Sequence, residues 1–177
     1  MLFSIRVADE GDACSLPALE HSAGQAFRAV PELAWVADDT GMTVDAHRAC
    51  IKTRTCWVAV GEQERIAGFL SAQPCGHDLH ILEMSVARDR QGSGLGRRLL
   101  AAAYDGARAR GLTGLTLTTF HAIPWNAPFY EKAGFYQLLP AALDARLAAL
   151  LQAEARAGFP AGSRCAMRQD VMGTHET

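Results

Sequence analysis

Gln91-Gly92-Ser93-Gly94-Leu95-Gly96-Arg97-Arg98-Leu99-Leu100 is the stretch on which the fold turns. It follows an apolar run, Leu79 to Val86, and opens a segment in which Leu99, Leu100, Ala103 and Ala107 recur at helical spacing. The order is strand, glycine-rich turn, amphipathic helix. Glycine lets the backbone approach a ligand closely and adopt angles forbidden to other residues. Free N–H groups at the helix start, together with the helix dipole, favour a phosphate or pyrophosphate there. Arg90, Arg97 and Arg98 add positive charge nearby.

Two common phosphate turns fail on spacing. A P-loop requires a Gly-Lys pair, and the chain has none. A dinucleotide fingerprint requires Gly-x-Gly-x-x-Gly and an acidic residue about 20 residues further on. Here the pattern is Gly92-x-Gly94-x-Gly96, and Gly111 to Thr119 offers no acid.

Outward from this turn the chain reads as one domain over residues 1–177, with mixed strands and helices. Upstream, Leu2 to Val7 alternates as a half-buried strand. Asp9 or Asp12 starts a helix carrying Leu16, Leu19 and Phe27, with Pro17 weakening its middle. Pro31 to Gly41 reads as a loop, and Thr43 caps a helix from Val44 to Thr53. Cys56–Val60 and Ile66–Ala72 form a hairpin about Gly61–Glu64, and Pro74-Cys75-Gly76 breaks the run. Downstream, Gly111 ends the central helix and Leu115–Phe120 is a β-branched strand. Pro124–Lys132 is a short helix, Phe135–Leu139 a strand, Ala141–Ala157 an amphipathic helix and Ser163–Val171 a last strand.

Composition narrows the class further. Net charge is −2 and the five cysteines lack any Cys-x-x-Cys pair. No basic field exists to hold nucleic acid or acidic lipid, so neither is an expected partner. The cysteines define neither a zinc site nor a disulfide framework and read as small buried hydrophobes. His77 and His80 lack a third ligand, so no metal is expected. With no signal-peptide pattern and no apolar run near the ~20 residues of a membrane helix, a cytoplasmic protein is expected.

Val86-Ala87-Arg88-Asp89-Arg90-Gln91-Gly92-Ser93-Gly94-Leu95-Gly96 resembles the acetyl-CoA signature of the GNAT superfamily of N-acetyltransferases, with Gln91, Gly94 and Gly96 matching Gln/Arg-x-x-Gly-x-Gly/Ala. Asn126-Ala127-Pro128-Phe129-Tyr130-Glu131-Lys132-Ala133-Gly134-Phe135 is similar to that family's second conserved region. The resemblance implies a largely antiparallel central sheet with flanking helices, in which the strands Leu79–Val86 and Leu115–Phe120 splay apart to admit the cofactor. It implies that Gln91, Gly92, Ser93, Gly94, Leu95, Gly96 and Arg97 cradle the CoA pyrophosphate. Met84, Ser85 and Val86 would run beside the pantetheine arm, and Asn126 and Phe129 would contact the cofactor. It further implies acetyl transfer from acetyl-CoA to a primary amine of a small molecule or peptide, and a homodimer.

Three side chains are candidates for the chemistry. By resemblance Tyr130 protonates the departing thiolate; its ordinary alternative is a packed aromatic. Glu83, a charge inside the apolar run Ile81-Leu82-Glu83-Met84, is costly to bury unless paired or functional and is the first candidate base. His80 is the rival, with an ordinary pKa suited to the task. A strand period of two puts His80 and Glu83 on opposite faces unless a bulge intervenes. His121 could line the substrate mouth. Cys56 and Cys75 lack an adjacent base, so direct transfer in a ternary complex is expected over an acyl-enzyme.

Glu20, Glu32, Asp38, Asp39 and Asp45 give the segment before the hairpin an acidic bias, which either favours a cationic acceptor or is a solvated face. Trp35 and Trp57 either wall a pocket or pack in the core. Two other functions fit the same motifs: a non-catalytic acyl-CoA-binding sensor, and a toxin acetylating aminoacyl-tRNA, against which the absence of a basic patch argues.

Overall fold

The computed structural model describes residues 2–172. Its strands are β1 (Ser4–Val7), β2 (Cys56–Val60), β3 (Ile66–Cys75), β4 (Asp78–Val86), β5 (Gly114–Phe120), β6 (Tyr136–Gln137) and β7 (Arg164–Asp170). Its α-helices are α1 (Leu16–Gly24), α2 (Val44–Lys52), α3 (Leu95–Ala109), α4 (Ala127–Lys132) and α5 (Ala145–Arg156). The strands form one sheet in the order β1-β2-β3-β4-β5-β7-β6, antiparallel throughout except for β4 against β5. The expected mixed α/β class, with a largely antiparallel sheet and flanking helices, is therefore the observed one. Among the described residues no helix is long and apolar enough to cross a membrane.

Two cores hold the layers. On one face α3 presents Leu95, Leu99, Leu100, Ala103 and Ala107 to Trp57, Leu70, Leu79 and Ile81, and α4 adds Tyr130 beside Phe135. On the other, Leu16, Leu19, Cys50 and Ile51 of α1 and α2 pack on Val58 and Phe69. α5 covers the β5–β7 half of that second face, where Arg146 donates to the Thr116 hydroxyl at 3.3 Å. Thr43 caps α2 as read, accepting the Ala46 N–H, whereas the helix read from Ala141 begins at Ala145, where Asp144 accepts the Leu147 N–H at 2.7 Å. Gly111, at φ +67°, closes α3 in a Schellman turn, with Gly111 N–H on Arg108 O and Leu112 N–H on Ala107 O, both 3.0 Å.

Several expectations need correction. Asp9 caps a 3-10 turn, Glu10–Ser15, and the α-helix proper begins only at Leu16. Pro17 thus falls in the first helical turn, where its missing N–H removes no bond. Phe27 lies beyond α1 in a second 3-10 stretch, and Pro31–Asp38 is a third rather than a loop. Pro74-Cys75-Gly76 does not break the run: β3 continues to Cys75, and Gly76-His77 is the turn into β4. Pro74 is tolerated because β2 pairs only as far as Ser71, so no partner strand needs its N–H on that side. The strand expected at Phe135–Leu139 pairs only at Tyr136–Gln137, since Phe135 is buried in the core and Pro140 follows. Cys50 and Cys56 are buried as expected, but Cys14 is exposed.

The bulge and the splay position the site. β3 pairs Ala72 with Ile81 but Ser71 with Glu83, so Leu82 is an extra residue on β4. It reverses the alternation and places His80 and Glu83 on one face, not on opposite faces. β4 and β5 pair only over Asp78–His80 and Gly114–Thr116. Past that point β4 stays with β3, while β5 follows β7 as far as Phe120 and Arg164, and a gap opens between them.

Candidate active site

That gap is the floor of a cleft of about 760 Å³ lined by β4, β5, α1, the start of α3 and α4. At one end lies the glycine turn. Gly92 and Gly94 have φ of +76° and +84°, and a Cβ on either would meet nothing within 4 Å. They are therefore glycine for backbone angle, and the space above them is open. Gly94 immediately precedes α3, whose first N–H groups have no partner within the helix and whose dipole is positive at this end. Gly96 serves packing instead: a Cβ there would press on Phe129 Cζ at 3.0 Å.

The three arginines near this turn separate in role. Arg97 lines the cleft, Arg98 donates to the Phe3 carbonyl at 2.9 Å, and Arg90 lies over the Phe3 ring. Met84, Ser85, Val86, Gln91, Gly92, Gly94, Leu95, Gly96, Arg97, Asn126 and Phe129 all reach the cleft. Ser93 does not, because its hydroxyl turns onto the Arg90 carbonyl. Asn126 stands just before α4, and its carbonyl accepts from Phe129 N–H at 2.9 Å and Tyr130 N–H at 3.1 Å. Its Oδ1 is buried without a hydrogen-bond partner among the described residues, an acceptor left for a ligand's donor. An open glycine cradle at a helix N-terminus and an orphan amide oxygen suit the pyrophosphate and amide arm of an acyl-CoA.

Glu83 and Tyr130 meet at the middle of the cleft from opposite faces of the sheet. Ser85 Oγ donates to Glu83 Oε1 at 2.8 Å. Burial pushes the Glu83 carboxyl up to about 7, against the opposing pull of the Ser85 hydroxyl and the Arg164 charge. The Tyr130 ring is wedged between Phe129 and Phe135, with centroids at 5.2 and 5.5 Å. Burial, then the Glu83 charge, hold its phenol well above the ordinary value, so it stays protonated.

His80 also reaches the cleft, at the point where β4 and β5 are still paired. Its Nδ1 is bonded to Thr116 Oγ1 at 2.9 Å. Burial, reinforced by Arg146, pushes its pKa down to about 4. It is a neutral, weakly basic imidazole at neutral pH. His121 and His77 are exposed and outside the cleft. Cys56 is buried with its thiol pushed up to about 12 by desolvation, far from a thiolate. Among the described residues no group of His, Cys, Asp or Glu is gathered to hold a metal.

At the far end lie Glu20, which the sequence reading named only as one of an acidic group, and His47, which it did not name. Of the five acids from Glu20 to Asp45, Glu32, Asp38 and Asp45 face solvent and Asp39 sits exposed at the cleft rim. Glu20 alone points inward. Its carboxylate accepts from Met42 N–H at 3.1 and 3.3 Å. Burial, then the Glu83 charge, push it up to about 8. His47 is fully buried, with Nδ1 on Ser71 Oγ at 2.9 Å and Nε2 lying 3.9 Å from Glu20. A sequence signal existed for both. Glu20 falls on the stripe set by Leu16 and Leu19, and His47 on the stripe set by Cys50 and Ile51, so each is a polar residue on a core-facing stripe. Phe27, Phe120, Trp125 and Phe159 supply an aromatic wall, while Trp57 packs in the core and Trp35 stacks on Phe159.

Residues 52–137 match the family model described as acetyltransferase (GNAT) domain. Solved structures with the same fold span nearly the whole chain. The PaiA N-acetyltransferase of Thermoplasma acidophilum, crystallised with coenzyme A, has a TM-score of 0.69 and 15% identity, covering 96% of this chain and 99% of its own. The ribosomal-protein-S18-alanine N-acetyltransferase of Escherichia coli has a TM-score of 0.68 and 17% identity, covering 99% of each chain. A protein of Desulfovibrio desulfuricans assigned to the GNAT acetyltransferases has 27% identity and a TM-score of 0.63, covering 97% of this chain and 99% of its own.

Proposed function

We propose that this chain, which carries the GNAT acetyltransferase domain and its fold, transfers the acetyl group of acetyl-CoA to a primary amine by direct attack. One observation carries the reading. The gap between β4 and β5 joins a phosphate-fitting turn to a carboxylate and a phenol, Glu83 and Tyr130, with the Glu83 charge near enough to act on the phenol.

In this reading the Gly92–Arg97 turn holds the CoA pyrophosphate, and the unpaired edge of β4 from Met84 to Val86 lies along the pantetheine arm. Asn126 and Phe129 flank that arm from α4. Glu83, as carboxylate, takes a proton from the acceptor ammonium. The freed nitrogen lone pair attacks the thioester carbonyl carbon, a C–N bond forms, and the C–S bond breaks with its electron pair going to sulfur. Tyr130 donates its proton to that sulfur, and the second nitrogen proton restores the phenol. Acetyl-CoA and an ammonium thus give an amide, CoA thiol and one proton, which leaves from Glu83. His80, bonded to Thr116 and with its pKa pushed down to about 4, is the weaker candidate for the base.

Thiol release from acetyl-CoA across a panel of amines tests this directly. Turnover that falls at least ~100-fold in Tyr130→Phe and in Glu83→Gln is expected, the usual size of a general acid–base contribution. Acetyl-CoA binding without turnover on any amine would overturn the transfer. Turnover indifferent to Glu83→Gln would remove Glu83 as base.

A further inference from the structure

The acceptor end of the cleft has a composition that the transfer chemistry does not require, and two features of it point to the acceptor. The first is a second carboxylate. Glu20 is fixed by both Met42 contacts, and the turn that makes them requires Gly41, at φ +62°, where a Cβ would collide with the Glu20 carboxylate. Behind it, His47 Nε2 is fully buried and has no hydrogen-bond partner among the described residues. Burial pushes the His47 pKa down, so this imidazole gives Glu20 no full counter-charge. Glu20 and Glu83 line the same cleft and the Glu83 charge opposes the ionisation of Glu20; a cation between them relieves that repulsion.

The second feature is the wall beyond them. Phe27 packs against Phe120 and Trp125 at centroid distances of 5.4 and 5.8 Å, and Phe120 meets Phe159 edge-on at 5.4 Å. Trp125 is 42% exposed, so an aromatic face remains open at the mouth. The remaining inner carboxylate, Glu154, is already taken by Arg164 at 3.0 Å and by the Thr118 hydroxyl. A second ammonium reaching inward past the two glutamates would meet the Arg164 guanidinium, since the other acid of the cleft, Asp39, lies at the rim.

Resting on the acetyl-transfer reading, we propose that the acceptor is a primary ammonium bearing an aromatic group, its nitrogen seated between Glu20 and Glu83 and its ring against Phe27, Phe120, Trp125 and Phe159. Glu20 is then a binding residue for the ammonium, distinct from Glu83 as base. The ring gains from apolar burial and edge-to-face contact. A polyamine lacks the edge-to-face contact and brings a second charge toward Arg164, whose guanidinium lies over Phe120 and Phe159.

Calorimetric titration of the CoA-loaded protein tests the site without requiring turnover. The probes are 2-phenylethylamine, butylamine, spermidine and a tetrapeptide beginning with phenylalanine. Phenylethylamine should bind about tenfold tighter than butylamine, a ratio that burial of a ring supplies, and spermidine no tighter than butylamine. Phe27→Ala should bring the first ratio to near one. Glu20→Gln should weaken both monoamines while leaving the CoA titration unchanged, which also shows that the variant is folded. Equal binding of phenylethylamine and butylamine, tighter binding of spermidine, or indifference to Glu20→Gln each overturns the proposal. If the peptide binds more tightly than phenylethylamine, the ring comes from a chain N-terminus; the reverse makes the ligand a free amine. Aromatic amines bound but not acetylated would sink the transfer reading alone. Butylamine acetylated as well as phenylethylamine would sink this inference alone.

Discussion

Glu83 illustrates how one position collects several physical effects. A bulge turns it into the cleft, burial raises its pKa to about 7, and the Ser85 hydroxyl steadies one oxygen. A base must be unprotonated, so acetylation kcat/KM should fall as pH drops below about 7. Glu83→Gln should abolish that limb along with most of the activity, and a pH–rate profile of both forms checks it. If the limb persists in the variant, another group titrates. Replacing Ser85 by alanine removes a hydrogen bond that favours the charged form, so the limb should move to higher pH. Tyr130→Phe keeps the ring packing of Phe129 and Phe135 and deletes only the proton donor. Its melting temperature should stay within a few degrees of wild type while kcat falls, a split that a purely packed tyrosine would not produce.

Elements matter here chiefly through their ends. α3 begins at a left-handed glycine, so its free N–H groups open onto the cleft, and it ends in the Gly111 Schellman turn. Gly94→Ala puts a Cβ on a backbone with φ +84°, which costs about 1–2 kcal/mol. Because nothing surrounds that Cβ except the ligand space, CoA affinity should fall more than stability does, as measured by calorimetry and thermal melting together. α5 depends on Asp144, whose carboxylate accepts the Leu147 N–H. Asp144→Ala should cost about 1 kcal/mol, or a ~2–4 °C lower midpoint in thermal denaturation. A helix cap on the far side of His80 should leave CoA binding untouched.

At the scale of the whole molecule, the cleft is a liability in the empty state. Two carboxylates are turned into it, and both have folded pKa values raised above the ordinary 4.5. The sign follows from proton binding: between about 4.5 and 8 the folded chain holds protons that the unfolded chain has lost. Their contribution to stability is present at pH below the unfolded value and is lost as pH rises through the folded ones. Raising pH from 5 to 8 should therefore lower the wild-type melting temperature relative to a Glu20→Gln, Glu83→Gln double variant, by calorimetry across that range. On the acetyl-transfer reading proposed above, acetyl-CoA at a hundredfold excess over Kd should add about 2.7 kcal/mol to the stability of the folded cleft. A melt that does not shift with the ligand would count against the cradle.

The sequence by itself determined the architecture and the glycine turn at one end of the cleft. Spacing alone excluded the two rival phosphate turns, and the strand–glycine turn–helix order needed only local backbone angles, which Gly92, Gly94 and Gly111 state outright. The cap at Thr43 was equally local. Even so, a helix interrupted by 3-10 turns and a strand cut to two residues escaped, because tertiary packing of Phe135 and of the Pro31–Asp38 segment overrides propensity. The acceptor end belonged to the tertiary structure. That Glu83 shares a face with His80 depends on a bulge visible only in the pairing with Ser71. That Glu20 is the one inward acid of those five, and that aromatic rings from three stretches of the chain line the same cleft, follows from how the covering segments lie on a splayed sheet. The glycine turn is written in consecutive residues because local backbone angles make it. The far end of the cleft is made by side chains from separate elements, and only folding sets them side by side.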